Sequence, residues 1–273
     1  MPALEVVAKQ SEIWTQLRAA AETAARDEPQ LGSQLNAVIL SHTDLAGALS
    51  FQIARKLGDE ELSAMTVREV CLAAYAVDPA MVAAAEADLQ AVAERDPAIH
   101  SLLQPFLYFK GFQALQAWRV AHWLWTEKRE TLAFHFQSRI SELFQVDIHP
   151  AATLGSGLFL DHGTGIVIGE TAVVGDEVSM LHAVTLGGTG ATRGDRHPKI
   201  GKGVLLGAGA KVLGNITIGD YAKVASGSVV LKPVPAGCTV AGVPARMVNC
   251  PTDATPARTM DHTLADIVYD FVI

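Results

Sequence analysis

Residues 148–186 read IHPAATLGSGLFLDHGTGIVIGETAVVGDEVSMLHAVTL. Apolar residues stand at Ile148, Leu154 and Leu160, then at Ile168, Val174, Met180 and Leu186. The step of six resumes at Ile200, Leu206, Val212, Ile218, Val224 and Val230. Glycine often follows the anchor, and a small or β-branched residue stands four positions after it: Ala172, Val178, Val184, Val204, Ala210, Ile216 and Ala222. A period of six fits neither a helix nor an alternating strand. It fits a solenoid in which each hexapeptide makes a short strand and a turn, and three hexapeptides make one triangular coil. The anchors are expected to point inward and stack coil on coil, with glycine at the tight turns.

The register breaks twice. Leu160 to Ile168 is a step of eight, across DHGTGIV, and Leu186 to Ile200 a step of fourteen, across GGTGATRGDRHPK. Insertions in a solenoid leave its body as loops, often on the binding face. Both insertions carry histidine and charge.

Upstream, residues 1–145 read as helices. Ser11 can cap a segment to Arg26 with the apolar Ile13, Leu17 and Ala20 on one face. Further helical segments are expected over 31–40, from Thr43 to Gly58, from a Thr66–Glu69 capping box, from Asp78-Pro79 to about Arg95, and over 105–128 and 131–145. Trp118, Trp123 and Trp125 are expected to pack between helices. Downstream, 249–273 loses the period and contains Pro251 and Pro256, which predicts a flexible tail. The domain expectation is thus a helical domain over 1–145, a solenoid over 146–248 and a tail over 249–273, an α+β class.

Composition narrows function. The 273 residues are 49% hydrophobic and 18% charged, with net charge −8, which suits a globular chain and gives no ground for general nucleic-acid binding. Cys71, Cys238 and Cys250 are far apart and odd in number, so a disulfide framework is not expected. No signal peptide or membrane span is read, and a reducing cytoplasm is the expected location.

The chemistry-bearing residues gather at the breaks and at the solenoid's first strand: Asp161-His162, Asp195-Arg196-His197, and Asp147 with His149. Histidine titrates near neutral pH and can take the proton of a hydroxyl nucleophile. A carboxylate can hold its tautomer, and arginine can bind a substrate carboxylate in a bidentate way. Thr189 lies in GGTG, where backbone N–H groups can hold an oxyanion. Among Lys202, Lys211 and Lys223, solvated corners are the expected place for most, with contact to an anionic cofactor open. Lys211 and Lys223, twelve apart, fall on different faces. His182 sits inside a regular repeat, as a lining or interface residue.

The segment VDIHPAATLGSGLFLDHGTGIVIGETAVVGD, with VTLGGTG, GDRHPKIG and AGVPAR, resembles bacterial serine acetyltransferase; so do REVCLAAYAVDP, AVAERDPA and LYFKGFQALQAWRVAHWLW in the helical half. The likeness spans roughly residues 10–250. It implies a left-handed parallel β-helix behind a helical domain, and acetyl transfer from acetyl-CoA to the hydroxyl of L-serine without metal or tightly bound cofactor. It implies His162 as the base and Asp147 as its orienting carboxylate. Asp96, Asp161, Arg196 and His197 would meet the amino acid, and Gly188, Thr189, Ala208 and Lys223 acetyl-CoA. It further implies trimers with shared sites, pairing into hexamers, inhibition by L-cysteine, and docking of the terminal Ile273 into O-acetylserine sulfhydrylase; the Asp-Phe-Val-Ile ending departs from the family's common tail. Two other readings remain: transfer to another acceptor such as homoserine or a sugar, and a zinc carbonic anhydrase built on His162, His182 and His197.

Overall fold

A computed structural model describes residues 11–190, 193–251 and 255–264. Helix α1 (Glu12–Asp27) begins where Trp14 N–H donates to Ser11 Oγ at 3.1 Å. It buries Trp14, Leu17 and Ala21, and Ile13 and Ala20 of the expected stripe pack partly buried against the same core. After a 3₁₀ turn over Pro29–Leu31, α2 (Gly32–Leu35) runs into a wider π turn, Asn36–Leu40. Helix α3 (Leu45–Leu57) is capped by Asp44, and α4 (Ala64–Val77) by Ser63. The Thr66–Glu69 capping box does not form: Ser63 Oγ already accepts from Thr66 N–H at 3.2 Å, which places Thr66 inside the helix. Next come α5 (Ala80–Arg95), α6 (Leu103–Tyr108), α7 (Lys110–Thr126) and α8 (Glu130–Phe144). Gln145, at φ +56°, ends α8 and turns the chain directly into the first strand.

From Val146 the chain winds as a three-faced parallel solenoid. Strands are numbered in chain order. The first face stacks β1 (Val146–Ile148), β4 (Ile166–Ile168), β7 (Thr185–Gly187), β10 (Lys211–Leu213) and β13 (Val229–Val230). The second stacks β2 (Thr153–Leu154), β5 (Val173–Val174), β8 (Lys199–Ile200) and β11 (Thr217–Ile218). The third stacks β3 (Phe159–Leu160), β6 (Ser179–Met180), β9 (Leu205–Leu206), β12 (Lys223–Val224) and β14 (Thr239–Gly242), with β15 (Ala245–Asn249) antiparallel at its edge.

The hexapeptide anchors are the partners that align: Ile148 on Ile168 on Leu186 on Val212 on Val230; Leu154 on Val174 on Ile200 on Ile218; Leu160 on Met180 on Leu206 on Val224. All are buried. Lys211 and Lys223 stand on the first and third faces, as their spacing requires.

A buried ion pair and a buried arginine join helices to solenoid. Asp88, fully buried on α5, accepts from Arg119 Nη2 at 2.6 Å, Gln116 Nε2 at 2.9 Å and the backbone N–H of Leu158 at 2.8 Å. Arg95 donates through Nη1 to the Glu177 carbonyl at 3.2 Å and to Ser179 Oγ at 3.1 Å. Gly111 on α7 approaches so closely that a Cβ there would lie 2.0 Å from the Leu160 carbonyl.

Two expectations about the C-terminal part are corrected. Cys238 and Cys250 form a disulfide, because β15 doubles back on β14 and brings residues 12 apart together. The described part of the expected tail is also more structured than a free extension: β15 crosses the expected boundary at 248/249, and α9 (Pro256–Thr259) packs on α5 with Ala257 buried, while 252–254 and 265–273 lie outside the described residues.

Candidate active site

The turn between the third face and the next coil's first face carries Asp161 and His162. Gly163 N–H donates to the Asp161 carbonyl at 2.7 Å, and Gly165 N–H to the Gln145 carbonyl at 2.7 Å. His162 takes φ +57° and Gly163 φ +70°, and the Cβ that a residue other than glycine would carry at Gly163 would lie 3.1 Å from Gly111 Cα. The tight turn against α7 therefore throws the His162 ring outward, with its side chain 72% exposed. Its Nε2 lies 3.7 Å from Asp161 Oδ1. One coil along the same corner, the His182 ring meets the His162 ring edge to face at 5.8 Å. Burial raises the Asp161 carboxyl above the usual carboxylate range; the His162 ring opposes that shift and the charge of Asp96, at the end of α5, adds to it. Asp96, Asp161 and His162 thus form one group, with His182 beside it.

A second group lies at another corner, between the first and second faces. Arg196 Nη2 lies 2.7 Å from Glu170 Oε2. Thr171 organises the loop: its Oγ1 accepts from the backbone N–H groups of Arg196 at 3.0 Å and His197 at 3.1 Å. Thr171 N–H, at 3.1 Å, and its hydroxyl, at 2.9 Å, both meet His197 Nδ1. With Nδ1 accepting, the ring proton sits on Nε2. His197 is only 7% exposed, and its ring lies over Gly169, where a Cβ would be 2.0 Å from Nε2. Burial, then the neighbouring Arg196 charge, pull its pKa down, so the ring is held neutral. Glu170 is held below the usual carboxylate range by its hydrogen bond from Arg196. Asp195 pairs with Lys199 and accepts from Asn215 Nδ2 at 3.1 Å, which pins the outer end of the loop.

Asp147, on β1, is held by α8. Its Oδ1 accepts from Gln137 Nε2 at 2.7 Å, and its charge reaches His149, whose ring packs edge-on against Trp125 and Phe134. Among the described residues no hydrogen bond or ion pair joins Asp147 to His162. The residues expected at acetyl-CoA are dispersed. Gly188 and Thr189 are in the Arg196 loop, Ala208 is on the His162 corner two coils along, and Lys223 is on the third face, donating to the Thr263 carbonyl. Ile273 lies outside the described residues.

Sequence reasoning missed Glu170, Thr171 and Gln137. Glu170-Thr171 looked like one of several hexapeptide turns; its signal was that the Arg196 loop must cross it, one coil above. The zinc reading needs His162, His182 and His197 to converge. In the chain, His162 and His182 share one corner, while His197 sits at another with Nδ1 already occupied.

The arrangement offers a histidine flanked by carboxylates at one corner and a fixed guanidinium with a neutral imidazole at another. Comparison with known proteins gives the family. The model "Serine acetyltransferase, N-terminal" matches residues 13–117, and "Bacterial transferase hexapeptide (six repeats)" matches residues 197–232. The serine acetyltransferase of Escherichia coli K12 is 52% identical over 259 residues, 95% of each chain. A solved serine acetyltransferase in complex with cysteine superposes with a TM-score of 0.91 at 48% identity, covering 92% of this chain and 98% of that one. The Brucella abortus enzyme in complex with coenzyme A gives 0.86 at 52% identity, covering 88% and 98%. The soybean enzyme complexed with serine gives 0.85 at 53%, covering 86% and 97%.

Proposed function

The chain belongs to the serine acetyltransferase family, and from that premise we propose that it transfers the acetyl group of acetyl-CoA to the hydroxyl of L-serine, giving O-acetyl-L-serine and CoA, the first step from serine towards cysteine. The observation that carries the reading is the pair of half-sites: a histidine base beside Asp161 at one corner, and Arg196 fixed by Glu170 at the other.

His162 removes the hydroxyl proton as the serine oxygen attacks the thioester carbon. The carbonyl electrons move to oxygen, where donors such as the backbone N–H groups around Gly188-Thr189 can stabilise them. Collapse expels the CoA thiolate, which recovers the proton from His162. Arg196 and His197 hold the substrate carboxylate, and Asp96 and Asp161 receive its ammonium group. Asp147 acts on His162 as its orienting carboxylate in the assembled enzyme. Ala208 and Lys223 lie along the acetyl-CoA path.

The half-sites stand at different corners of the three-faced solenoid, the His162 turn between the third and first faces and the Arg196 loop between the first and second. Trimers that set the His162 corner of one chain against the Arg196 corner of its neighbour complete the site, and the helical domains provide for pairing of trimers. L-Cysteine, one sulfur for one oxygen, fits the same groups as an inhibitor. The reaction is placed in the cytoplasm, and docking of Ile273 into O-acetylserine sulfhydrylase completes the reading. Thiol release from acetyl-CoA, measured against serine, homoserine and amino-sugar acceptors, tests it: preference for another acceptor, or zinc-dependent carbon dioxide hydration, overturns it.

A further inference from the structure

The reaction uses none of the cysteines, yet two of them are paired. Cys238 closes the last coil and is 4% exposed, while Cys250, at the end of β15, is exposed. The bond between them closes a hairpin in which Val240 pairs with Met247 and Gly242 with Ala245. Beyond it the chain stays close to the solenoid: the Pro251 carbonyl lies 3.2 Å from where a Cβ on Gly237 would sit.

The residues that follow are docked by the buried Pro256 and Ala257 of α9 and by a set of polar contacts. Ser179 Oγ donates to the Ala257 carbonyl at 2.8 Å. Arg258 reaches Glu177 Oε2 through Nε and Nη2, both at 3.1 Å, and the same carboxylate takes Lys202 at 3.3 Å. Lys223 donates to the Thr263 carbonyl, and a groove lies between Tyr221, Thr239 and Asn249 on one side and Thr255 and Asp261 of the segment on the other. Exposed ion pairs are individually weak, about 0–1 kcal/mol. Docking of this kind depends on how far the chain can wander when it lifts off, and a cross-link five residues upstream limits that freedom.

We infer that Cys238 and Cys250 form a thiol–disulfide exchange site whose oxidation clasps residues 255–264 onto the solenoid and covers Lys223, and whose reduction frees them. In oxidation the exposed Cys250, as thiolate, attacks one sulfur of a low-molecular-weight disulfide. One small thiolate leaves, takes a solvent proton, and a mixed disulfide remains on Cys250. The Cys238 thiolate then attacks Cys250 Sγ and expels the second small thiolate, which is protonated in turn. The sum is two protein thiols and one small disulfide giving one protein disulfide and two small thiols. Reduction runs the steps backward, entering again at the accessible Cys250. In a reducing compartment a disulfide with one solvent-facing sulfur is of the exchanging rather than the permanent kind. Cys71 is buried, its thiol pushed up to about 12 by burial, and takes no part.

The test uses the full-length protein equilibrated with glutathione disulfide or with dithiothreitol. Peptide mass mapping of the oxidised sample should recover Cys238 and Cys250 in one linked species that dithiothreitol separates. Hydrogen exchange over residues 255–264 should be about 10- to 100-fold slower in the oxidised protein than in the reduced one, with helix α1 unchanged as internal reference. Cys238→Ser and Cys250→Ser should both exchange like the reduced protein and ignore dithiothreitol. The reduced wild type supplies the same comparison if either variant folds poorly. Failure of the linked peptide to form with glutathione disulfide, or equal exchange in the two redox states, overturns the inference, and neither outcome decides whether the chain transfers acetyl groups to serine.

Discussion

Asp88 on α5 and Arg119 on α7 meet at 2.6 Å, and the Asp88 carboxylate also accepts the Leu158 N–H of the solenoid at 2.8 Å, so one buried charge pair joins two helices to the first coil. Removing one partner of such a pair strands the other charge away from water. Asp88→Ala should therefore destabilise the chain by about 3–5 kcal/mol. Asp88→Asn, which keeps an acceptor for Leu158, should cost less. Urea unfolding at fixed protein concentration checks both, and a loss under about 1 kcal/mol for Asp88→Ala would remove the pair from its joining role.

Glu170 is the only side-chain carboxylate recorded against the Arg196 guanidinium among the described residues. Without it the guanidinium loses its fixed direction while His162 is untouched. Glu170→Gln should raise KM for serine about 10-fold or more, the range of one charge-assisted hydrogen bond, with kcat nearly unchanged. Steady-state kinetics decide it: a fall in kcat alone would place Glu170 in the chemical step.

The anchor series was legible because stacked coils demand one inward apolar residue per hexapeptide, and Ile148, Ile168, Leu186, Val212 and Val230 obey that demand in space as in sequence. The His162 and Arg196 loops were legible because they are the places where that demand lapses. Asp88 was not, since a carboxylate in an alanine-rich helix looks solvated until a partner from another element is known. The pairing of Cys238 with Cys250 depends on β15 reversing direction, which the loss of the hexapeptide period concealed. The cap at Ser63 rather than Thr66 is a three-residue shift of helix start, which propensity resolves poorly.

Asp161 binds its proton more readily in the folded chain than in the unfolded one, because burial raises its pKa and the charge of Asp96 adds to the shift against the opposing His162 ring. A carboxyl with a raised folded pKa favours folding below its unfolded value and loses that contribution as pH rises through the folded value. At neutral pH the ionised group therefore weighs against folding. Asp161→Asn should raise the urea midpoint at about pH 7, and the gain should shrink towards about pH 4. Activity should fall in the same variant. A lower midpoint at neutral pH would show that Asp161 is a structural group.

His162→Ala should lower kcat by about 10²–10⁴-fold, the range for loss of a general base. The fold should persist, because the ring points outward from a turn whose hydrogen bonds are made by backbone. Circular dichroism and kinetics on one sample separate the two effects, and a folded variant with near-normal kcat excludes His162 as the base.

The separation of the half-sites gives the most direct test of assembly. His162→Ala removes the base at one corner, and Arg196→Ala removes the carboxylate clamp at another; each homo-oligomer should be nearly inactive. If a site is built from the His162 corner of one chain and the Arg196 corner of the next, a mixed ring contains some junctions in which both corners are intact. Random mixing of equal amounts, after partial denaturation and reassembly, should restore about a quarter of the wild-type site number in a cyclic oligomer with head-to-tail contacts. The restored sites should show wild-type KM for serine, because each is chemically complete. Mixing without reassembly should restore nothing. If each chain instead holds a whole site, no mixture of the two variants can contain one, and activity stays at the level of the parents at every ratio. The dependence on mixing ratio sharpens the test, since shared sites require recovery to peak near equal proportions.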